Sequence, residues 1–525
     1  MKYPIGIQTF ERIIAEGCVY VDKTDMVYSL ANEGFIYFLS RPRRFGKSLL
    51  VSTLENYFLG RKELFKGLKI DSLEKDWKTY PVFHLDFSGQ NFTNSTELTK
   101  KLNKFITDYE AIYGIDERDL TLGDRFAQLL ETAHKQTGLA CVVLIDEYDK
   151  PLLDVMDLPD TVERNNTLIS LEDYNREILK GLYSTFKAAD THLQFVFLTG
   201  VTKFSQLSVF SGFNHPEDIS MAPQFATICG ITEEEVDTYF REPIEQIAKQ
   251  KNITYDSARE MLRKQYDGYH FCEHAPGVYN PFSLLNALKR GRVSDFWFES
   301  GTPTYLYRLL EKSNENLDQI AGKYFTKDDF ENYQADSQQP LPMIYQSGYL
   351  TIKDYDDDAD NYLLDFPNDE VKKGFATLVA NSFMKTETAG SWVSRLIKAL
   401  RVSDLEAFRK EFTSFLASIP YNVKLKKEQE RFFTYTLYLI FRIASCYVTY
   451  AEKEQSQGRL DCAIETPDYV YIFEFKLDGT AAEALKQIND KGYATEYLAS
   501  GKKIYKVGIS IASETGTVGD WGVEE

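Results

Sequence analysis

Three residues with phosphate-binding chemistry stand together where an apolar run meets a basic turn: Gly46, Lys47 and Ser48. Between a strand and a helix, such a glycine lets backbone N–H groups approach a polyphosphate. The lysine reaches the outer oxygens, and the serine hydroxyl ligates Mg²⁺. The full pattern has another glycine five residues before Gly46, where this chain has Arg41. The turn by itself therefore leaves two alternatives open, a nucleotide site and an ordinary basic turn.

Charged residues elsewhere favour the nucleotide site. Arg43 and Arg44 add positive charge that can replace lost amide contacts in the turn. A later apolar run ends in Asp146 and Glu147, and ligands bind at the carboxyl ends of parallel strands. Asp146 is then placed to hold Mg²⁺, Glu147 to polarise a water, and Thr199, ending another run, to sense the γ-phosphate. The alternative is a buried strand with a solvated acidic end, but both motifs in this order predict ATP or GTP binding.

A second set of polar residues lies near the end of the chain. Asp461 comes early in one predicted strand of a hairpin, and Glu474 and Lys476 lie two apart in the next. Period-two alternation puts Glu474 and Lys476 on one face. Two carboxylates and a lysine can bind Mg²⁺, generate hydroxide and stabilise a phosphate under attack. Glu452 can complete the metal shell, and Gln487 is presented by the helix that follows.

The aromatic neighbours of Glu474 decide how this pattern is interpreted. Burying its carboxylate among them would be costly without a cation, which favours a functional site. The alternative is an edge hairpin with an exposed glutamate–lysine pair, which contributes little to stability. The joint pattern predicts a metal-dependent nuclease fold.

Strands alternating with helices must position these residues. Apolar runs at 35–39, 81–87, 139–146 and 193–200 alternate with helical segments and predict a parallel sheet covered on both faces. Helical periodicity over 95–137 breaks at Gly114 and Gly123. From 226 to 300 the pattern is mostly helical, and runs at 343–352 and 362–367 predict two strands joined by an acidic turn, as in a winged helix. Residues 370–445 are predicted helical, followed by strands, a helix and a last strand at 505–511.

Size and composition predict several domains in a reducing compartment. A chain of 525 residues is too long for one core, and its 43% apolar and 14% aromatic content can fill several. Six cysteines without a Cys-x-x-Cys pair argue against disulfides and structural zinc. The chain lacks a signal-peptide pattern and a membrane-spanning run, so we expect it to be cytoplasmic. The net charge of −19 disfavours nucleic-acid binding, but residues 391–525 carry only −1 of it.

The motifs together resemble a bacterial family that joins an AAA-like ATPase domain to a C-terminal PD-(D/E)XK nuclease-superfamily domain. The resemblance covers nearly the whole chain, and the Arg41 departure is typical of the family. It rests on these segments: Val21–Thr24, Arg41–Ser48, Ile145–Pro151, Thr199–Lys203, Tyr279–Phe282, Gln346–Ile352, Phe366–Asn368, Gly458–Asp461 and Glu474–Lys476.

The resemblance implies a role for each matching position. Phosphate contacts are expected from Gly46, Lys47 and Ser48, and Mg²⁺ binding and water activation from Asp146 and Glu147. In the tail it implies metal ligation by Asp461 and Glu474, catalysis by Lys476, and support from Glu452 and Gln487. The implied architecture is an α/β multi-domain chain. Its predicted parts are a P-loop ATPase core over 1–225, a helical lid and winged-helix-like region over 226–370, and a nuclease-like domain over 371–525.

These patterns predict an ATP-binding and ATP-hydrolysing module that gates or powers a Mg²⁺-dependent endonuclease acting on DNA. Mn²⁺ is an alternative metal at the second site. A homo-oligomer or a regulatory protein partner is compatible with the same pattern. One alternative function is a non-catalytic NTP-dependent switch whose nuclease-like domain only binds nucleic acid or protein. Another is an ATPase that acts on proteins.

Overall fold

The computed structural model divides the chain into two compact units, Met1–Asn368 and Asp369–Glu525. The α/β multi-domain fold class predicted from the sequence is confirmed, while the division at 1–225, 226–370 and 371–525 stays a prediction. No helix in the described part of the chain has the length and apolar character needed to cross a membrane. The structure describes residues 1–115, 120–164, 166–203, 216–299, 305–306, 309, 320–331, 340–384, 389–418, 448–455, 458–515 and 517–525.

The first unit is built on a five-stranded parallel sheet. Its described strands are β1 (Ile36–Ser40), β2 (Val82–Asp86), β3 (Cys141–Asp146), β4 (Thr161–Arg164), β5 (Thr167–Ser170), β6 (Leu193–Gly200), β7 (Glu217–Asp218), β8 (Ile231–Thr232), β9 (Val278–Tyr279), β10 (Lys323–Phe325), β11 (Thr351–Asp356) and β12 (Asn361–Asp365). The parallel sheet has the order β2-β3-β6-β1-β7. The pairs β4–β5 and β8–β9 form small sheets, and β10, β12 and β11 form an antiparallel one.

Helices cover this sheet and build the rest of the first unit. They are α1 (Phe10–Ala15), α2 (Thr24–Glu33), α3 (Lys47–Phe58), α4 (Lys69–Leu73), α5 (Glu97–Tyr113), α6 (Leu122–Thr137), α7 (Lys150–Leu153), α8 (Leu171–Tyr183), α9 (Thr185–Ala188), α10 (Glu233–Lys251), α11 (Tyr255–Tyr266), α12 (Pro281–Arg290), α13 (Phe296–Glu299), α14 (Lys327–Glu331) and α15 (Leu341–Gln346).

The central strands end side by side at one edge of the sheet. All six residues of β3 are buried, which explains why its sequence is continuously apolar rather than alternating. Strand β6 pairs in parallel with both β3 and β1, with Leu39 opposite Thr199. The carboxyl ends of β1, β3 and β6 therefore lie at the same edge of the sheet. The loop that follows β1 starts at this edge, next to Asp146 and Glu147 at the end of β3.

Three local predictions were wrong in detail. Gly114 ends α5 in the left-handed conformation, but Gly123 lies inside α6, because the cap at Thr121 starts that helix before it. The run at 343–352 is not one strand: Leu341–Gln346 is helical, with Pro342 in its first turn, and β11 begins at Thr351. The strand predicted at 505–511 is not the last one, because a further strand follows it in the second unit.

The second unit is a mixed five-stranded sheet with helices on both faces. Its strands, in the sheet order β13-β14-β15-β16-β17, are β13 (Val448–Gln455), β14 (Gly458–Glu465), β15 (Tyr469–Leu477), β16 (Lys503–Ala512) and β17 (Thr517–Glu524). Its described helices are α16 (Asp369–Met384), α17 (Ala389–Arg401), α18 (Leu405–Ser418) and α19 (Ala481–Asp490). Only the pair β15–β16 is parallel, and α19 connects these two strands.

Alternate residues of β15 pack on opposite sides of this sheet. Tyr471 and Phe473 join a core with α17 and α18, while Ile472 joins a second core with α19. A side chain at Gly508 would lie 2.4 Å from the carbonyl oxygen of Ala481, so this glycine lets α19 pack close to β16. The sheet thus holds the middle of β15 between two apolar layers.

Candidate functional sites

The loop after β1 wraps around the side chain of Lys47. Gly46 adopts a φ of 91°, a left-handed conformation that suits glycine, and α3 begins at the next residue. The buried Lys47 Nζ donates to the carbonyl oxygens of Arg41, at 3.0 Å, and Pro42, at 3.1 Å. Burial lowers the pKa of Lys47, while the neighbouring carboxylates of Glu147 and Asp146 raise it. The loop therefore carries its lysine at the edge of the sheet where the acids lie.

Arg41, which stands where the phosphate-loop pattern has glycine, turns its side chain into the protein. The residue is 1% exposed, and its guanidinium donates to the carbonyl oxygens of Ser220, at 2.8 Å, and Phe225, at 3.2 Å. It also lies 4.0 Å from the ring centroid of Phe271, within range of a cation–π interaction. Arg41 thus anchors the start of the loop and leaves the cavity side to the residues that follow.

The acids at the end of β3, Asp146 and Glu147, lie beside the serine of the loop. Asp146 is buried, and its carboxylate hydrogen-bonds with the hydroxyl of Ser48. Burial raises the pKa of Asp146, and the Ser48 hydrogen bond opposes this effect. Glu147 has a φ of 53°, an uncommon left-handed conformation for a non-glycine residue, and burial also raises its pKa. The structure thus brings together a serine, an aspartate and a glutamate next to Lys47.

These elements open on a cavity of about 400 Å³. Its size is that of a small-molecule or cofactor site. The charged and polar part of its lining is mostly cationic and includes Arg43, Arg44, Lys47, Lys150, Ser48, Glu147 and Asp149. The apolar part of the lining includes Pro4, Ile5, Ile7, Phe282, Leu285 and Trp297. The combination suits a ligand that has an anionic end and an aromatic or apolar end.

Thr199, predicted to sense the γ-phosphate, and Lys203, which ends the same motif, have other partners. The fully buried Thr199 hydroxyl donates to the carbonyl oxygen of Leu39, at 2.9 Å. Lys203 Nζ forms ion pairs with Asp218, at 2.9 Å, and Glu331, at 2.5 Å. Neither residue lines the cavity. The role of Thr199 as a γ-phosphate sensor stays a prediction.

Several cavity residues were not identified from the sequence. Phe282, Ser347 and Tyr349 lie in segments that carry the family resemblance, but their type and spacing indicated no chemistry. Trp297, whose indole N–H donates to the carbonyl oxygen of Arg43 at 3.1 Å, had no local signal. Asp149 was also missed. Its Oδ2 accepts from the backbone N–H groups of Val201 and Thr202, at 2.9 and 2.7 Å, and from the Thr202 hydroxyl, at 2.8 Å.

The second unit brings the predicted hairpin residues together. Asp461 on β14 accepts through Oδ2 from the backbone N–H of Phe475, at 2.9 Å, which ties it to the strand that carries Glu474. Lys476 Nζ lies 3.0 Å from Glu474 Oε1 and 2.7 Å from Gln487 Oε1. The predicted placement of Glu474 and Lys476 on one face agrees with this contact. Four of the five predicted residues of this site are therefore described as neighbours.

The fifth residue, Glu452, lies on the neighbouring strand. The ladder between β13 and β14 pairs Ala451 with Cys462 and Lys453 with Leu460, so the backbone of Glu452 runs beside Asp461. Its side chain lies outside the part of the chain that the structure describes. Its role as a third metal ligand stays a prediction.

Burial gives Glu474 unusual electrostatics. Its side chain is 1% exposed, and burial, with the added repulsion of Asp461, raises its pKa to about 7. Lys476 opposes this shift. Among the described residues, Glu474 Oε2 has no hydrogen-bond partner. A buried carboxylate oxygen left in this way beside a second carboxylate fits a divalent cation, which commonly binds through one or two carboxylates and completes its shell with water.

No cluster of three or more metal-ligating side chains occurs in the described residues, and the described carboxylates of this site are those of Asp461 and Glu474. On the other side of Lys476, Gln487 also hydrogen-bonds with the hydroxyl of Tyr493, whose pKa burial raises. Lys476 is therefore held between Glu474 and Gln487, both of which accept from its amine.

Comparison with known proteins gives a match for each unit. Residues 4–210 match the model of a predicted AAA-ATPase, and residues 428–521 match the PD-(D/E)XK nuclease superfamily. The chain is also 33% identical, over 533 aligned positions, to an uncharacterized protein in the vnfD 5′ region of Azotobacter chroococcum mcd 1. That alignment covers 100% of this chain and 99% of the relative, so the likeness extends through both units.

Proposed function

Because the chain belongs to the family that joins a predicted AAA-ATPase to a PD-(D/E)XK nuclease-superfamily domain, we propose that it is an ATP-controlled, metal-dependent DNA endonuclease. The first unit binds ATP with Mg²⁺ and hydrolyses it. The second unit cleaves phosphodiester bonds in DNA. The state of the nucleotide controls that cleavage.

The burial of Glu474 is the observation that carries the proposal. Desolvating a carboxylate costs several kcal/mol unless a charge compensates it. Lys476 reaches only one of the two Glu474 oxygens. A buried position in a sheet covered by apolar layers is most stable with an apolar side chain. A buried glutamate next to Asp461 therefore supports a role in binding a cation.

In the second unit, Asp461 and Glu474 would hold Mg²⁺ or Mn²⁺. The bound ion would supply a hydroxide near neutral pH and neutralise charge on the phosphate. Lys476, fixed by Glu474 and Gln487, would place its ammonium against the phosphate oxygens and stabilise the charge that develops there. The backbone N–H of Phe475 orients Asp461 for this role.

In the first unit, the cationic residues of the cavity lining would receive the phosphates, and the apolar residues would receive the base. Lys47, Arg43 and Arg44 would contact phosphate oxygens, and the Ser48–Asp146 pair would hold Mg²⁺. Glu147, which also lines the cavity, would accept the proton of the attacking water. The raised pKa that burial gives Glu147 suits a group that takes up a proton.

A cleavage assay tests both halves of the proposal. Supercoiled plasmid and single-stranded DNA are incubated with Mg²⁺ or Mn²⁺, with and without ATP. Wild type is compared with Glu474→Gln, which keeps the side-chain shape but removes the charge, and with Lys47→Ala. We expect cleavage to fall by at least about 10²-fold in Glu474→Gln. A change in the ATP response of Lys47→Ala would show whether nucleotide drives or restrains the cut.

The acidity of the whole chain favours one alternative, an NTP-dependent switch whose nuclease-like unit only binds nucleic acid or protein. That alternative predicts ATP binding without cleavage under any metal or nucleotide condition. Cleavage that persists unchanged in Glu474→Gln would instead assign the activity to another site or to a contaminating nuclease.

A further inference from the structure

A turn from the second half of the first unit lies directly against the phosphate loop. The turn, residues 346–349, begins at the last residue of α15, and Ser347 and Tyr349 line the cavity. Gly348 has a φ of 88°, and a Cβ atom there would lie 2.5 Å from Cβ and 2.6 Å from Cγ of Pro42. Ordinary carbon–carbon contacts are about 3.5–4.0 Å. The turn and the proline ring are thus packed so closely that the position has no room for a side chain.

The turn is held firmly from behind. The Gln346 side chain is buried and accepts from the backbone N–H of Lys203, at 2.8 Å, just past the end of β6. Its amide group donates to the carbonyl oxygens of Phe330, at 3.3 Å, and Glu331, at 2.9 Å. Because all these hydrogen bonds are buried or partly buried, moving the turn would break several of them together. The turn is therefore a rigid support and not a mobile flap.

Pro42, on the other side of the contact, belongs to the part of the loop that holds its lysine. Its carbonyl oxygen accepts from Lys47 Nζ at 3.1 Å, and Arg43 and Arg44 follow it directly. A displacement of Pro42 would shift the lysine and both arginines relative to the cavity. A misplacement of about 1 Å is enough to cost a site much of its function.

We propose that Gly348 is a positioning residue for the phosphate loop. The backbone of Gly348 packs directly against the Pro42 ring, and the hydrogen bonds of Gln346 hold that backbone in place. This contact keeps the loop in the conformation in which Lys47, Arg43 and Arg44 line the cavity. The inference deepens the proposed nucleotide site and rests on it.

The test compares two glycine substitutions in the full-length chain. Gly348→Ala introduces the collision with Pro42. Gly322→Ala is the matched control, because Gly322 has a similar φ of 73° in the same unit but nothing within 4 Å of an added Cβ. Binding of MgATP is measured with a fluorescent ATP analogue, and thermal unfolding is followed in parallel. We expect the Kd to rise by about tenfold or more in Gly348→Ala and to stay within about twofold in Gly322→Ala.

A compensating substitution separates positioning from general damage. Pro42→Gly removes both atoms that the new Cβ would strike. If the contact acts as proposed, adding Gly348→Ala to Pro42→Gly changes the Kd by less than about twofold, because the two substitutions act on one contact and are not additive. An equal further loss in the Pro42→Gly background would overturn the proposal, as would wild-type affinity in Gly348→Ala.

A second variant covers the case in which Gly348→Ala does not fold. Gln346→Met removes the hydrogen bonds behind the turn but adds no atom at the contact. We expect it to raise the Kd for MgATP by about fivefold or more, and an unchanged Kd in the folded variant contradicts the proposal. If wild type itself does not bind ATP, the proposed nucleotide site fails. If wild type binds and the variants bind equally well, only the positioning role fails.

Discussion

Glu474 takes up a proton on folding, because its folded and unfolded pKa values differ. An unfolded glutamate has a pKa of about 4.3, whereas burial and Asp461 raise the pKa of the folded group to about 7. Between these values, the folded state holds a proton that the unfolded state has released. In the absence of metal, the contribution of Glu474 to the free energy of unfolding is therefore greatest below about pH 4.3. This contribution falls as the pH rises towards 7.

Because the charged form of Glu474 destabilises the metal-free fold, we expect Glu474→Gln to stabilise the metal-free protein more at high pH than at low pH. In EDTA we expect an increase of about 3 kcal/mol in the free energy of unfolding at pH 8, and little change at pH 4, below the unfolded pKa. Urea unfolding of the second unit at both pH values provides the measurement. Glu465→Gln serves as a control in the same sheet, since Glu465 forms a partly exposed ion pair with Lys502. An equal effect of Glu474→Gln at both pH values would contradict the assigned pKa.

The hydrogen bonds of the Asp149 side chain give a second prediction for a single residue. One carboxylate oxygen accepts three hydrogen bonds from Val201 and Thr202 and so fixes the segment after β3 to the end of β6. Asp149→Ala leaves these donors buried without an acceptor, so we expect a loss of about 3 kcal/mol or more in stability. Asp149→Asn keeps an acceptor oxygen and is expected to lose less. Thermal or denaturant unfolding of the two variants distinguishes them, and equal losses would show that the hydrogen bonds are not the cause.

At the scale of elements, the sequence predicted the parts of the fold that local patterns determine. The strands that end at Ser40, Asp146 and Gly200 were predicted because buried parallel strands are continuously apolar, and the motif residues follow those ends. The contacts that complete the cavity were not predicted, because Trp297 and Gly348 reach the phosphate loop from far along the chain. Contacts between residues that are far apart in the chain leave no periodic pattern in the sequence.

Strand β17 is another element of this kind. Its sequence, Thr-Val-Gly-Asp-Trp-Gly-Val-Glu, has two glycines and two acids and so resembles a loop. Pairing with β16 makes it a strand, and Gly522 allows close packing against Leu485 of α19. Asp520 also accepts from the backbone N–H of Ala481, at the start of that helix. The tail is therefore part of the sheet that positions α19 and Gln487.

Removing residues 514–525 should consequently disrupt the second unit. The deletion exposes the edge of β16 and the apolar side of α19, so we expect aggregation and the loss of any cleavage activity. Gel filtration and circular dichroism report the first effect. Asp520→Asn, which weakens the hydrogen bonds from Ala481 of α19 and from Trp521 but keeps the strand, is expected to remain soluble and to lose about 1 kcal/mol of stability. A soluble, folded truncated chain would show that the edge strand is dispensable.

For the whole molecule, the uneven distribution of charge bears on the proposed substrate. The second unit, residues 369–525, has 21 Lys and Arg against 22 Asp and Glu, and the first unit has 39 against 57. The net charge is thus −1 in the unit that carries the proposed metal site and −18 in the unit that carries the cavity. Since DNA is a polyanion, the first unit would oppose the proposed DNA binding by long-range repulsion, which salt screens.

This repulsion predicts that residues 369–525, produced alone, bind DNA more tightly than the full chain at low salt. Both proteins carry Glu474→Gln and are kept in EDTA, so that no cleavage disturbs the measurement. By fluorescence anisotropy with a labelled duplex, we expect a difference of about tenfold at about 50 mM salt that shrinks towards unity at about 300 mM, where the Debye length is shorter. A salt-independent difference in favour of the full chain would instead mean that the first unit contributes its own DNA contacts. Equal affinities at every salt concentration would exclude electrostatic repulsion as the means of the proposed control of cleavage by the first unit.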